Sequence, residues 1–101
     1  MSEADSISAD LLDESLEFSL AELCRICAIE ESLVVAIVEE GIVEPDGESR
    51  SCWRFSGIAV TRVQRVIKLQ QEFAVNLAGA ALALELFEEI ERLKRLQQRQ
   101  A

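Results

Sequence analysis

Apolar residues recur at helical spacing in four segments of the chain, and polar or turn-forming residues separate these segments. Ser19 precedes the first segment and Glu22 follows three residues later, the pattern of a capped helix start. A short extended piece at residues 17–19 is expected to lead into it. The apolar face of this first helix is formed by Leu20, Leu23, Cys24 and Cys27, at steps of three and four residues.

The second segment predicts a helix over about residues 30–40, after a tight turn at Ala28–Ile29. Gly41 is expected to end this helix in a left-handed conformation. Two short strands are expected next, at Ile42–Glu44 and Cys52–Phe55, because the Pro-Asp-Gly run between them favours a turn. The pattern thus predicts a helix-turn-helix over residues 19–41 and a β-hairpin wing over residues 42–55.

Two longer amphipathic segments predict a pair of helices over residues 56–98, with Ser56 as a candidate cap and an interruption at residues 76–79. The last helix, about residues 79–98, has an apolar seam with steps of three and four: Leu82, Leu86, Ile90 and Leu93. This seam predicts either a homodimer through helix 79–98 or packing on the preceding helix within one chain. The expected fold is mainly α, a winged helix-turn-helix followed by two C-terminal helices, in a single domain over residues 16–98.

Negative charge is concentrated in the first half of the chain. Residues 1–50 hold 14 acids and 2 bases, whereas residues 51–101 hold 5 acids and 8 bases. Residues 1–15, acidic and rich in Ser and Asp, are expected to form a flexible arm. Since no uncharged run is long enough for a bilayer and the N-terminus lacks a secretory pattern, we expect a cytoplasmic protein with no membrane partner.

The second helix stands where a DNA-reading helix would, but its charge has the wrong sign for DNA. Between Ala28 and Gly41 there are four glutamates and no Lys or Arg. Most protein–DNA hydrogen bonds go to phosphate and sugar, which this helix would repel. We therefore predict a protein partner and no direct nucleic-acid contact. The expected contact residues, an apolar patch with acids at its ends, are Glu31, Ser32, Leu33, Val35, Ala36, Glu39 and Glu40.

The other side of this helix is assigned to the core, through Val34, Ile37 and Val38. The alternative for Leu33 and Val35 is that they are ordinary apolar surface residues or part of a dimer contact. Buried against a partner, each would contribute roughly 1.5–3 kcal/mol.

The sequence offers no catalytic chemistry. It contains no His, no Tyr and no Gly-rich phosphate loop. Cys24 and Cys27 form a C-x-x-C pair, but within a predicted helix and with no His to complete a common zinc site. We therefore predict that the protein is not an enzyme and has no metal site or cofactor.

Basic residues have two interpretations each. Arg54 has two interpretations: it contacts a phosphate, or it forms a cross-strand ion pair with one of the acids near it. These acids are Glu44, Asp46 and Glu48. The ion pair is the preferred interpretation. A basic stripe on the third helix could face the acidic arm or an acid of a partner; it consists of Arg62, Arg65 and Lys68.

Several short motifs in this order resemble the N-terminal domain of MerR-type regulators and, more closely, the CbpM family. They are A-E-L-C at Ala21–Cys24, G-I-V-E-P at Gly41–Pro45, W-R-F at Trp53–Phe55 and the two-helix stretch Val63–Leu86. The likeness covers roughly residues 16–96. No single motif is specific, but their order and spacing are.

This resemblance implies a chaperone modulator. Such a protein binds the J-domain of a CbpA-like or DnaJ-like co-chaperone and prevents it from stimulating the Hsp70 chaperone DnaK. MerR-type proteins dimerise through a helix in the region of residues 79–98, so the resemblance favours a dimer. The alternative function is a MerR-like DNA-binding transcription regulator, whose DNA contacts would be Arg50, Arg54, Arg62 and Arg65.

Overall fold

The structure, a computed structural model, describes residues 16–100, so the arm predicted over residues 1–15 lies outside the described residues. The chain divides into two compact units, one up to Gln64 and one from Arg65 onward. The elements in chain order are β1 (Glu17–Ser19), α1 (Leu20–Cys27), α2 (Glu31–Glu39), a 3-10 turn (Arg50–Cys52), β2 (Arg54–Ser56), α3 (Gly57–Phe73) and α4 (Leu77–Gln100). The expected mainly helical fold is confirmed, while the single domain over residues 16–98 stays a prediction.

Side-chain caps start α1 and α3 where the sequence predicts them. The Oγ of Ser19 accepts from the backbone N–H of Glu22 at 3.1 Å, and the Glu22 carboxylate accepts from the N–H of Ser19 at 2.8 Å. This reciprocal pair is the predicted capping box. At the start of α3, the Oγ of Ser56 accepts from the N–H of Ala59 at 3.1 Å. Both helix starts are thus fixed by local hydrogen bonds.

The turn between α1 and α2 and the end of α2 both use left-handed residues. Ala28 has φ +57° and leads the chain from α1 into α2, and Gly41 follows α2 with φ +78°. The N–H of Ile42 reaches back to the carbonyl of Ile37 at 3.2 Å, which closes the end of the helix. The predicted left-handed cap at Gly41 is confirmed.

The pairing of strands differs from the predicted wing hairpin. β2 pairs antiparallel with β1, with Phe18 opposite Phe55. The strand predicted over Ile42–Glu44 is wrong, since those residues form none, and the wing meets β2 through one bridge between Asp46 and Arg54. Pro45 has no N–H with which to extend this ladder. Cys52, the first residue of the strand predicted over Cys52–Phe55, belongs to the 3-10 turn at Arg50–Cys52 instead.

Gly47 occupies a position in the wing that requires glycine. Its φ is +110°, and a Cβ built there would lie 2.5 Å from the carbonyl oxygen of Cys52. A side chain at this position would therefore strain the backbone and clash with the 3-10 turn. The wing's narrow turn depends on this one residue.

The unit up to Gln64 packs its helices and β2 around fully buried apolar side chains: Leu23, Val34, Ile37, Phe55, Val60 and Val63. α2 contributes to this core through Val34 and Ile37, as predicted, whereas Val38 is half-buried. Because two successive turns of α2 are fixed this way, the rotation of α2 about its axis is fixed too. The side that α2 presents to solvent is therefore set by the core.

The unit from Arg65 onward contains the end of α3 and all of α4. Ala74 has φ +53° after α3, and the Oδ1 of Asn76 accepts from the N–H of Gly79 at 2.8 Å. This cap starts α4 at Leu77, two residues before the predicted start. The buried side chains of this unit are Val66, Leu69, Ala80 and Leu84.

Candidate partner-binding site

The solvent side of α2 brings together most of the predicted contact residues. Successive residues of an α-helix are about 100° apart, so residues at steps of three, four and seven share a face. The face opposite the buried Val34 and Ile37 consists of Ser32, Val35, Ala36 and Glu39. Leu33 and Glu40 lie along one flank of this face and Glu31 along the other. The four residues, with their three flanking residues, are the candidate face named below.

The apolar centre of the candidate face is less open than the sequence suggests. Leu33, Val35 and Ala36 are half-buried, while Ser32 and the glutamates are exposed. Part of the apolar area is thus already covered inside the unit. Binding of a partner would therefore bury only the remaining exposed area of these side chains. The contribution of Leu33 or Val35 to the binding free energy is then at most about 1.5 kcal/mol.

The carboxylate of Glu31 has a basic neighbour that the sequence did not assign to it. The Nη1 of Arg50, from the 3-10 turn, lies 3.9 Å from the Oε2 of Glu31, and both side chains are more than half exposed. The acids at the other end of the candidate face, Glu39 and Glu40, have no ion pair within residues 16–100. The two ends of the face therefore differ in net charge.

A pocket of about 410 Å³ adjoins the Glu31 end of the candidate face. Residues 19–21 and Cys24 from the start of α1 form one side of it. Glu31 closes it on the α2 side, and Arg50 with Ser51 closes it on the side of the 3-10 turn. Sequence reasoning missed this pocket because three segments that are distant in sequence form it. The sequence reasoning named Arg50 only as a contact in the DNA-binding alternative; its place as a base within an otherwise acidic stretch is the signal that could have linked it to Glu31.

Comparisons with known proteins agree with this architecture. The family model described as "MerR HTH family regulatory protein" matches residues 18–99. "Chaperone modulatory protein CbpM" of Pseudomonas entomophila (strain L48) is 38% identical over 79 residues, which are 78% of each chain. The protein of the same name from Pseudomonas putida (strain W619) is 39% identical over the same share of each chain. That of Coxiella burnetii (strain Dugway 5J108-111) is 25% identical over 88 residues, 87% of this chain and 83% of its own.

The chain belongs to the CbpM family. It is at the same time a member of the wider MerR-type helix-turn-helix group. The names of its CbpM relatives describe modulation rather than a catalysed reaction. No helix in the described part of the chain is both long enough and apolar enough to cross a membrane.

In this member of the CbpM family the wing arginine does not form the predicted ion pair. Within residues 16–100 no carboxylate lies within 4 Å of Arg54; its Nη1 donates to the carbonyl oxygen of Trp53 at 3.5 Å instead. The cross-strand pair is therefore wrong, because Arg54 meets Asp46 through the backbone bridge alone. The rings of Trp53 and Phe55 form an edge-to-face pair with centroids 6.0 Å apart, which holds the wing strand on the core.

The three cysteines have different environments. Burial raises the pKa of the Cys27 thiol to about 11, with Cys24 as a smaller cause. Burial also raises the pKa of Cys24, and the charge of Glu31 adds to it. Hydrogen bonds from Ser49 and Ser51 lower the pKa of the exposed Cys52. Within residues 16–100, no group of three or more acidic, Cys or His side chains is arranged to hold a metal ion.

Arg65, a member of the basic stripe on α3, has an acidic neighbour inside its own unit. The Nη1 of Arg65 lies 4.0 Å from the Oε1 of Glu91 on α4, with both side chains about half exposed. Arg65 is one of the residues that a DNA-binding interpretation requires. Its charge is partly neutralised by this pair.

The apolar seam of α4 faces solvent. Leu82, Leu86, Ile90 and Leu93 are 59%, 56%, 45% and 47% exposed. Leu82 follows the buried Ala80 by two positions, and Leu86 follows the buried Leu84 by two positions. Two positions along an α-helix correspond to a rotation of about 200° around its axis. The seam thus lies opposite the side of α4 that packs on the end of α3. The intrachain alternative for the seam is wrong.

Proposed function

We propose that this protein is a chaperone modulator that binds the J-domain of a CbpA-like or DnaJ-like co-chaperone. Bound there, it inhibits the co-chaperone's stimulation of DnaK, the Hsp70 chaperone. The observation that carries the proposal is the candidate face: a half-buried apolar centre with exposed glutamates, held at the solvent side of α2 by the core. The family's relatives bear the name of chaperone modulators.

Charge supports a basic protein surface as the partner. J-domains engage Hsp70 through a basic helix, so a competitor should present acids to that helix. Between Ala28 and Gly41 this chain has four glutamates and no base. Complementary charge accelerates association and selects the partner, and its effect falls as salt rises.

The second candidate function is DNA binding, and the match to the MerR helix-turn-helix family favours it. Arg50 and Arg65, which it requires, each lie within 4.0 Å of a glutamate. The helix that would enter the groove is α2, whose exposed side has no basic residue. Phosphate binding would therefore have to overcome the repulsion of the candidate face.

We also propose that two chains associate through the seam of α4. Four apolar side chains in one line, each about half exposed, are costly to leave in water. Residues 85–91 hold four acids and residues 92–99 hold four bases. An antiparallel alignment of two copies of α4 would place acids opposite bases along the seam. The cytoplasmic location expected from the sequence remains a prediction.

The test is a calorimetric titration of the protein with the isolated J-domain of the host's CbpA-like co-chaperone, at two salt concentrations. We expect saturable binding that weakens at the higher salt. The double variant Glu39→Lys/Glu40→Lys should bind at least ten-fold more weakly and should no longer inhibit co-chaperone-stimulated ATP hydrolysis by DnaK.

The matched control is Glu44→Lys/Glu48→Lys, which makes the same change of charge at exposed positions outside the candidate face. An equal loss of affinity in both variants would mean that net charge, not the candidate face, determines binding. Absence of binding by the unmodified protein at both salt concentrations would remove the J-domain as partner, and host DNA fragments would then be tested.

A further inference from the structure

The pocket between α1, α2 and the 3-10 turn has the features of an anchor site for a long cationic side chain. Its lining combines the apolar side chains of Leu20 and Ala21 and the thiol of Cys24 with the carboxylate of Glu31 and the guanidinium of Arg50. Its volume of about 410 Å³ exceeds that of a single side chain. It adjoins the candidate face at Glu31, so a partner bound to α2 would reach it.

The pocket is lined by one acidic and one basic side chain, Glu31 and Arg50. Burial raises the pKa of the Cys24 thiol, and the charge of Glu31 raises it further. The Oγ of Ser19 is already engaged by the N–H of Glu22. A cationic group that enters the pocket would be attracted by the carboxylate of Glu31 and repelled by the guanidinium of Arg50, so it gains most where the Arg50 side chain moves away.

The contact between Glu31 and Arg50 is easy to displace. The atoms are 3.9 Å apart, and the two side chains are 57% and 59% exposed. Exposed ion pairs of this kind stabilise a fold by roughly 0–1 kcal/mol. The backbone of Arg50 is held separately, since its carbonyl accepts from the N–H of Trp53 at 3.3 Å. The side chain can therefore move away without disturbing the 3-10 turn.

We propose that this pocket receives a lysine or arginine side chain of the protein partner, whose charged end takes Glu31 from Arg50. The methylene stem of that side chain lies on Leu20 and Cys24, because long cationic residues bury their stems on apolar surface and keep their charge at the rim. The inference rests on the proposed function and extends its site from α2 to the start of α1. Arg50 is then a specificity-determining residue that competes with the partner for Glu31.

The first experiment measures binding of the isolated J-domain to Arg50→Ala and to Arg25→Ala. Both replace an exposed arginine in the same unit, and Arg25 does not line the pocket. Removal of the competitor should tighten binding about two- to five-fold, the range that corresponds to an exposed ion pair. Arg25→Ala should change the affinity by less than half as much. Weaker binding of Arg50→Ala would overturn the proposal, because Arg50 would then contact the partner itself.

The second experiment fills the pocket. Ala21 is exposed on a helix and lines the pocket, so Ala21→Met should leave the fold intact and weaken J-domain binding at least three-fold. Ala78→Met makes the same change at an exposed helical alanine of α4 and should leave the affinity unchanged. Equal affinities of Ala21→Met and the unmodified protein would overturn the proposal.

Glu31→Gln separates this inference from the proposed function. It should weaken binding two- to five-fold in the natural background and by a larger factor in the Arg50→Ala background, where Glu31 has no competitor. Strong binding by the unmodified protein with no effect of these variants would remove the pocket and leave the proposed function standing. Absence of any J-domain binding by the unmodified protein would remove both.

Discussion

The solvent sides of α2 and α4 both carry apolar side chains, but they differ in exposure and in charge. On α2 the apolar residues are half-buried, and the charged residues beside them are all acidic. On α4 the four residues of the seam are about half exposed, and the charges change from acidic to basic along the helix. A surface of one sign cannot pair well with itself, whereas one with both signs can. This difference supports the proposals that α2 binds a different protein and that α4 binds a second copy of the chain.

The largest expected difference between the two helices is in their contribution to the fold. Ile37 of α2 is fully buried and Ile90 of α4 is 45% exposed. Ile37→Ala should lower the free energy of unfolding by about 2–5 kcal/mol, through lost burial and a cavity. Ile90→Ala should lower that of the monomer by less than about 1 kcal/mol.

Urea unfolding at two protein concentrations checks this pair of variants, because a dimer contribution appears as concentration dependence. Equal losses for both variants at low concentration would contradict the assignment of Ile90 to an open seam.

The next effect concerns association. Leu86→Lys/Ile90→Lys places two charges in the seam of α4 and should make the protein monomeric, because each unpaired charge opposes burial of the seam. Analytical ultracentrifugation measures the change. J-domain affinity per chain should stay within two-fold, since α2 is untouched. A dimer that persists in this variant would place the association elsewhere on the chain.

Helix caps give a smaller effect and a pH dependence. Ser19→Ala and Asn76→Ala should each lower the free energy of unfolding by about 1 kcal/mol. Hydrogen bonds with Ser19 lower the pKa of Glu22, so this carboxylate stabilises the folded state above its unfolded pKa, and the contribution is lost as the pH falls through the folded value. Ser19→Ala should therefore lose less stability on acidification than the unmodified protein.

Asn76→Ala is the control for that slope, because its cap contains no titrating group. Thermal unfolding between pH 3 and pH 7 would show it. An unchanged acid slope in Ser19→Ala would mean that the Ser19 side chain adds nothing to acid sensitivity, since the backbone N–H of residue 19 still donates to Glu22 in this variant.

The smallest effect is expected from the exposed ion pairs. Arg65→Gln should change the free energy of unfolding by less than about 1 kcal/mol, since its contact with Glu91 is 4.0 Å long and half exposed. It should also leave J-domain binding unchanged, in contrast to Arg50→Ala. A loss of J-domain affinity in Arg65→Gln would extend the partner surface to the unit of α4.

Local features were predictable from the sequence. The caps at Ser19 and Ser56 and the left-handed Gly41 depend on hydrogen bonds and dihedral angles within a few residues, and all three are present. The burial of Val34 and Ile37 follows from helical periodicity, because one side of α2 packs on the core and the other faces solvent.

Contacts between distant segments were not predictable in the same way. β2 pairs with Glu17–Ser19 rather than with residues just before the wing, and turn rules favour neighbours in sequence. The pocket beside Glu31 needs three segments to meet. Helical spacing places Leu20 and Cys24 on one face of α1, but it does not reveal that Glu31 and Arg50 meet them there.

Ser19 is both the last residue of β1 and the N-cap of α1, so one residue belongs to the boundary of two elements. Proteolysis on its C-terminal side would remove a strand and expose the first backbone N–H groups of a helix in one cut. The rate at which a protease cleaves the Ser19–Leu20 bond is therefore expected to depend on the stability of the helix-turn-helix. Protection of the Ser19–Leu20 bond from protease should follow the unfolding of the whole unit rather than local fraying.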